Sequence, residues 1–136
     1  MSLAILGIAS AGCDVDDEKA MTFTQINETI LKPSCTFACH SGGVGIAAGN
    51  LDLELAPYDA LVGVAPASEA CLGSPLKRVA VGDPEQSLLY MMSFAKLHGE
   101  EAPCGGTMPL GEDRPSLSAA ELEGVRAWIA NGAPND

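Results

Sequence analysis

At 136 residues, of which 47% are hydrophobic, the chain can bury the core of one small domain but not of several. Eighteen Asp and Glu against seven Lys and Arg leave a formal net charge of −11, which disfavours nucleic acid and anionic membrane surfaces as partners and favours a protein carrying a basic patch. Aromatic residues make up only 4% of the chain, so part of the core volume has to come from something other than Phe, Tyr and Trp.

In chain order, the small apolar run Leu3 to Gly12 reads as the hydrophobic and cleavage portion of an export signal, and it is too short to span a membrane. Residues 1–12 are therefore expected to be the remnant of such a signal. Ala11-Gly12-Cys13 resembles the end of a bacterial lipoprotein signal, in which the Cys is lipidated, although Ser10 stands where Leu is usual and no Lys or Arg precedes the run. Residues 13–20, with Asp14, Asp16, Asp17 and Glu18, read as an acidic linker, and residues 21–136 as one domain. Export implies a periplasmic or cell-envelope location, anchored by lipid if Cys13 is modified.

Thr22 to Lys32 places Phe23, Ile26, Ile30 and Leu31 at helical spacing and predicts a helix that stops at Pro33. Directly after it comes Cys35-Thr36-Phe37-Ala38-Cys39-His40. Two thiols followed at once by an imidazole suit the attachment of a c-type haem: the thiols add to the porphyrin vinyl groups, and the His becomes the proximal iron ligand. The usual spacer has two residues; here it has three, a rarer CxxxCH form. A zinc site is the alternative, and it would need further thiols or histidines to complete four ligands. With Cys35 and Cys39 assigned to haem, Cys71 and Cys104 remain as one candidate disulfide, permitted in an oxidising compartment, against the alternative of two buried free thiols. No second motif of this kind occurs, so one covalent haem is expected. A porphyrin would also supply the missing aromatic volume.

Leu51 to Leu53 and Arg78 to Val81 alternate weakly, as short strands or extended loops, and Pro57 to Val62 suits one helical turn. Asp83-Pro84 reads as a cap followed by Pro at the first helical position of a helix over 84–96, with Leu88, Leu89 and Met92 in one stripe. Cys104 to Pro109 is a loop with no periodic pattern, so the thioether of Met108 is free to reach the iron as its sixth ligand. Met91 and Met92 fall in the helical stripe and read as packing, Met21 lies too far round, and His98 is the bis-histidine alternative. Ser118-Ala119-Ala120-Glu121 forms a capping box, after which Leu122, Val125, Trp128 and Ile129 share one face until Asn131-Gly132 ends the helix.

A haem motif after an N-terminal helix, together with an amphipathic C-terminal helix, resembles a class I cytochrome c domain. The likeness is closer to the small cytochrome c domains of planctomycetes and myxobacteria, whose motifs correspond here to Cys35–His40, Gly49-Asn50-Leu51-Asp52-Leu53, Gly82-Asp83-Pro84-Glu85-Gln86-Ser87-Leu88-Leu89, Met108-Pro109 and Leu117-Ser118 through Trp128-Ile129-Ala130-Asn131-Gly132-Ala133. The likeness covers about residues 22–134, with Asn50 and the longer spacer as departures. It implies an all-α fold with long loops wrapped around one haem, terminal helices crossing beside it, and a sixth ligand from the loop before the last helix.

Iron held by His40 and Met108 would have no open position for oxygen or peroxide, and no other catalytic set is present, so the expected role is electron transfer and not catalysis. The alternatives are a haem-based ligand sensor and a haem subunit of a larger redox enzyme. A monomer that docks briefly on the basic patch of a redox partner completes the expectation.

Overall fold

A computed structural model of the chain describes residues 20–136. The export signal over 1–12, lipidation at Cys13 and nearly all of the acidic linker fall outside the described residues. Thr22 opens the first helix with a capping box: its hydroxyl accepts from Gln25 N–H at 3.1 Å, and the Gln25 side chain accepts from Thr22 N–H at 2.9 Å. Helix α1, Phe23–Ile26, runs directly into π-helical turns over Asn27–Thr36.

The predicted stop at Pro33 does not occur, because those turns pass straight through it. In an α-helix the Pro ring would collide with the carbonyl four residues back; widening to a π-helix moves the hydrogen bonds to the fifth residue back, as in Phe37 N–H to Lys32 O at the helix end. The helix thereby carries the chain as far as Cys35.

Four further α-helices follow: α2 (Gly42–Ala47), α3 (Pro57–Leu61), α4 (Leu88–His98) and α5 (Ala119–Ala130), with 3-10 turns at Glu69–Cys71 and Pro84–Gln86. The single helix expected over 84–96 is broken at Ser87, and Asp83 makes no side-chain cap. Ser87 is held extended because the 77–80 segment pairs with it: Leu88 N–H donates to Lys77 O at 2.9 Å, and the buried Ser87 hydroxyl accepts from Ala80 N–H and donates to Asp83 O, both at 2.8 Å. Gly99, in the left-handed region at φ 67°, ends α4. The capping box expected at Ser118 and Glu121 is present and starts α5, which ends at Asn131.

Leu51–Leu53 and Arg78–Val81 resolve as extended loops, touched only by isolated parallel bridges at Val62–Val79 and Lys77–Ser87, and no strand occurs among the described residues. The architecture is all-helical with long loops, as the sequence implied. No helix among the described residues is long and apolar enough to cross a membrane.

One core joins the two ends of the domain. Phe23, Ile26, Ile30 and Leu31 pack with Val125, Trp128 and Ile129 of α5, all at most 7% exposed. The Phe23 ring lies 5.6 Å from Trp128 and edge-on to Tyr58 at 5.1 Å. Polar ends of these rings find backbone partners, Trp128 Nε1–H on Pro134 O and Tyr58 O–H on Ala133 O. The Asp136 side chain accepts from Phe23 N–H at 2.8 Å, placing a carboxylate on the N-terminus of the first helix.

Candidate functional site

At the C-terminal end of the first helix lies a cavity of about 380 Å³, within the usual size of a small-molecule or cofactor site. Cys35, Cys39 and His40 line it from the helix end and the turn that follows; Leu88, Leu89 and Met92 line it from α4; Met108 lines it from the loop before α5. Residues more than sixty positions apart in the chain thus share one predominantly apolar wall.

The three-residue spacer closes through Ala38, which adopts the left-handed region at φ 63°, unusual for a residue with a Cβ. With His40 N–H bonded to Cys35 O at 3.1 Å, this turn brings both thiols and the imidazole to the cavity. Cys35 and Cys39 are not bonded to each other. Burial, and to a lesser degree the neighbouring Cys39, push the Cys35 thiol up to about 11, so it stays protonated at neutral pH and lacks the thiolate character of a redox or hydrolytic nucleophile.

His40 is half-buried, and its Nδ1 stands 3.3 Å from Leu51 O. Burial foremost, and then the charge of Arg78, hold the ring below its ordinary pKa, against the opposing pull of that carbonyl. The imidazole is therefore neutral at pH 7. Nδ1 donates to Leu51 O, and the lone pair sits on Nε2, the tautomer a metal ligand requires. Leu51 is itself fixed by its N–H to Gly45 O at 2.9 Å. Gly45 has no room for a side chain, since a Cβ there would stand 2.5 Å from Leu51 O.

Met108 is held by its N–H on Met92 O at 3.2 Å. Lys96 of α4 donates to the carbonyls of Pro109 and Gly111, and the expected Cys71–Cys104 disulfide is present, its Cα atoms 5.3 Å apart. Cys71 also lines the cavity. Met92, read from the sequence as packing, offers the cavity a second thioether. Met91 and His98 do not line it; His98 is exposed and stacks on Phe94 at 4.2 Å. Met21 packs against the core instead. Among the described residues no three His, Cys, Asp or Glu side chains gather as a metal-binding group, so Cys35, Cys39 and His40 find no fourth partner of the zinc-finger kind.

Arg78, Leu51 and Gly45 are the site residues that sequence reasoning missed. The first sits in a segment read only as extended, and the other two act through backbone atoms.

No family model, curated protein or solved structure matches the chain. The site has to be interpreted from its own chemistry. An apolar chamber with two unpaired thiols, a neutral imidazole with a free Nε2 and a thioether fits a covalently held haem, and the scarcity of other polar lining groups suits a porphyrin face.

Proposed function

We propose that the chain is a monohaem electron carrier of the cytochrome c kind. Cys35 and Cys39 would hold the group by thioether bonds, His40 would be the proximal ligand and Met108 the sixth ligand. The observation that carries the reading is that Cys35, Cys39, His40 and Met108 all line one apolar cavity. A haem held by His40 and Met108 would supply one reversible ferrous–ferric exchange and offer no open coordination site.

The chain's own residues account for the rest. Leu51 O keeps the imidazole in the ligating tautomer, and Leu88, Leu89 and Met92 present apolar side chains to the same space. Met92 O, Lys96 and the Cys71–Cys104 bond hold the Met108 loop against the cavity. That disulfide also favours an oxidising compartment, in keeping with export.

The test is an absorption spectrum of the protein produced with a haem-attachment pathway. Haem should remain with the denatured chain, and the oxidised protein should show the thioether-to-iron charge-transfer band. Met108→Ala should lose that band, and the reduced variant should gain carbon monoxide binding. Release of all haem into acidified organic solvent would sink covalent attachment. Carbon monoxide binding by the reduced native protein would instead favour a ligand sensor, and a band that survives Met108→Ala would move the sixth ligand to Met92.

A further inference from the structure

A second cleft, of about 260 Å³, lies against α4. Tyr90, Met91 and Phe94 line it from the helix, and Glu100, Glu101 and Pro103 line it from the segment just beyond the helix end. Tyr90 and Phe94 stand two residues on from Leu88 and Met92, about 200° around a helix of 3.6 residues per turn, so α4 separates this cleft from the cavity. The half-buried rings of Tyr90 and Phe94 lie 5.7 Å apart, tilted at 47°.

The two acids run against local helix energetics. The C-terminal end of a helix carries partial negative charge and favours Lys, Arg or His, whereas Glu100 and Glu101 follow directly on Gly99, the cap of α4. Glu100 N–H donates to Ala95 O at 2.8 Å and Cys104 is held in the disulfide, so the segment is tethered on both sides of its carboxylates. Lys96, in the last turn, donates instead to the carbonyls of Pro109 and Gly111, and His98 stacks on Phe94 without lining the cleft. Among the described residues neither Glu100 nor Glu101 makes an ion pair, and Arg126, which neighbours Tyr90, is paired with Glu85 at 3.3 Å. Carboxylates, a helix C-terminus and aromatic faces all attract a cation, and they converge on a cleft that no Lys or Arg lines.

We propose that this cleft is the docking point for an arginine side chain of a protein partner, its guanidinium on Glu100 and Glu101 and its plane against Tyr90 or Phe94. Arginine fits better than lysine, because a planar guanidinium both stacks on a ring and pairs with carboxylates, while an ammonium stays strongly hydrated. That the partner exchanges electrons rests on the haem reading; the binding does not. A partner held here lies across α4 from the cavity, about 10 Å of helix thickness.

N-acetyl-arginine amide and its citrulline counterpart, which has the same shape and no charge, titrated into the full chain and followed by the NMR shifts of the Tyr90 and Phe94 rings and the Glu100 and Glu101 amides, test the assignment. The arginine compound should shift all four residues in a saturable way, with a dissociation constant on the order of 1–10 mM for one side chain. The citrulline compound should bind about fivefold more weakly, the scale of one exposed charge or cation–π contact. Glu100→Gln with Glu101→Gln should weaken the arginine compound by about fivefold or more, while Glu54→Gln with Glu69→Gln, the same loss of charge at exposed positions outside the cleft, should change it by less than about twofold. Equal binding of both compounds, or equal weakening by both pairs of substitutions, overturns the proposal in favour of diffuse attraction to a chain of net charge −11. The absence of a saturable shift at those four residues overturns it outright. None of these readouts uses a haem signal, so either failure leaves the haem reading standing, and a chain without covalent haem would lose only the redox role of its partner.

Discussion

The carbonyl of Leu51 sets the state of His40 through one hydrogen bond, and Gly45 leaves the room in which that carbonyl sits. An added Cβ would meet Leu51 O at 2.5 Å and Leu51 C at 3.2 Å, both backbone atoms that cannot rotate aside. Gly45→Ala should therefore destabilise the fold by about 1–3 kcal/mol, the usual cost of overpacking, and shift the carbonyl away from the imidazole. Thermal unfolding reads the first effect and the ¹⁵N shifts of the His40 ring read the second; unchanged values of both would show that the contact is relieved at no cost. This support is invisible in the sequence because every residue has a carbonyl. Cys35, Cys39 and His40 were legible because their chemistry is packed into six consecutive residues, and Met108 because it stands in a loop with no other use for an apolar side chain. Met92 misled for the converse reason: a helix face turned to a cavity has the same periodicity as one turned to a core.

Elements formed where the sequence placed them when a local cap specified them, and departed where a distant segment intervened. The Ser118–Glu121 box starts α5 as read, and the same pattern at Thr22–Gln25 starts α1. Pro33 failed as a stop because a change of helix type accommodates its ring, an option that helix rules based on α geometry do not include. Ser87 broke the expected helix because Ala80 N–H bonds its hydroxyl from seven residues upstream and Lys77 O accepts from the N–H of Leu88 beside it. Ser87→Ala leaves the part-buried Ala80 N–H without that acceptor, and should cost about 1–3 kcal/mol of stability. A denaturation midpoint equal to that of the native protein would mean that a helix over 84–96 forms equally well without the interruption. The loop before α5 depends on three restraints at once: Met92 O, Lys96 and the Cys71–Cys104 bond, the last closing a separation of 33 residues. Reduction, or Cys71→Ser, should lower stability by about 3–4 kcal/mol on the chain-entropy account. Because Met108 lies four residues beyond Cys104, the same change should, if haem is held as proposed, weaken the thioether-to-iron band. Loss of stability with the band intact would show that Met92 O and Lys96 suffice to place the loop.

For the molecule as a whole, charge and size together decide how it meets a partner. A domain of this length has a radius of gyration of about 14 Å, while the screening length is about 30 Å at 10 mM salt and about 8 Å near physiological strength. At low salt the net charge of −11 therefore acts as a unit on an approaching reagent; at high salt only charges close to the point of contact count. The cavity lining opposes the overall sign, with Arg78 and no acid, so the two regimes separate global steering from the local surface. With haem attached, a cationic redox reagent should exchange electrons faster than an anionic one of similar driving force at 10 mM salt, and the ratio should fall towards one as salt is raised. Stopped-flow rates across a salt series measure this. Equal rates at low salt would place the acidic surface away from the electron-transfer edge and leave it a role in solubility alone. A ratio that reverses at high salt would identify the basic wall at Arg78 as the local contact and set the sign of the partner's own patch as negative.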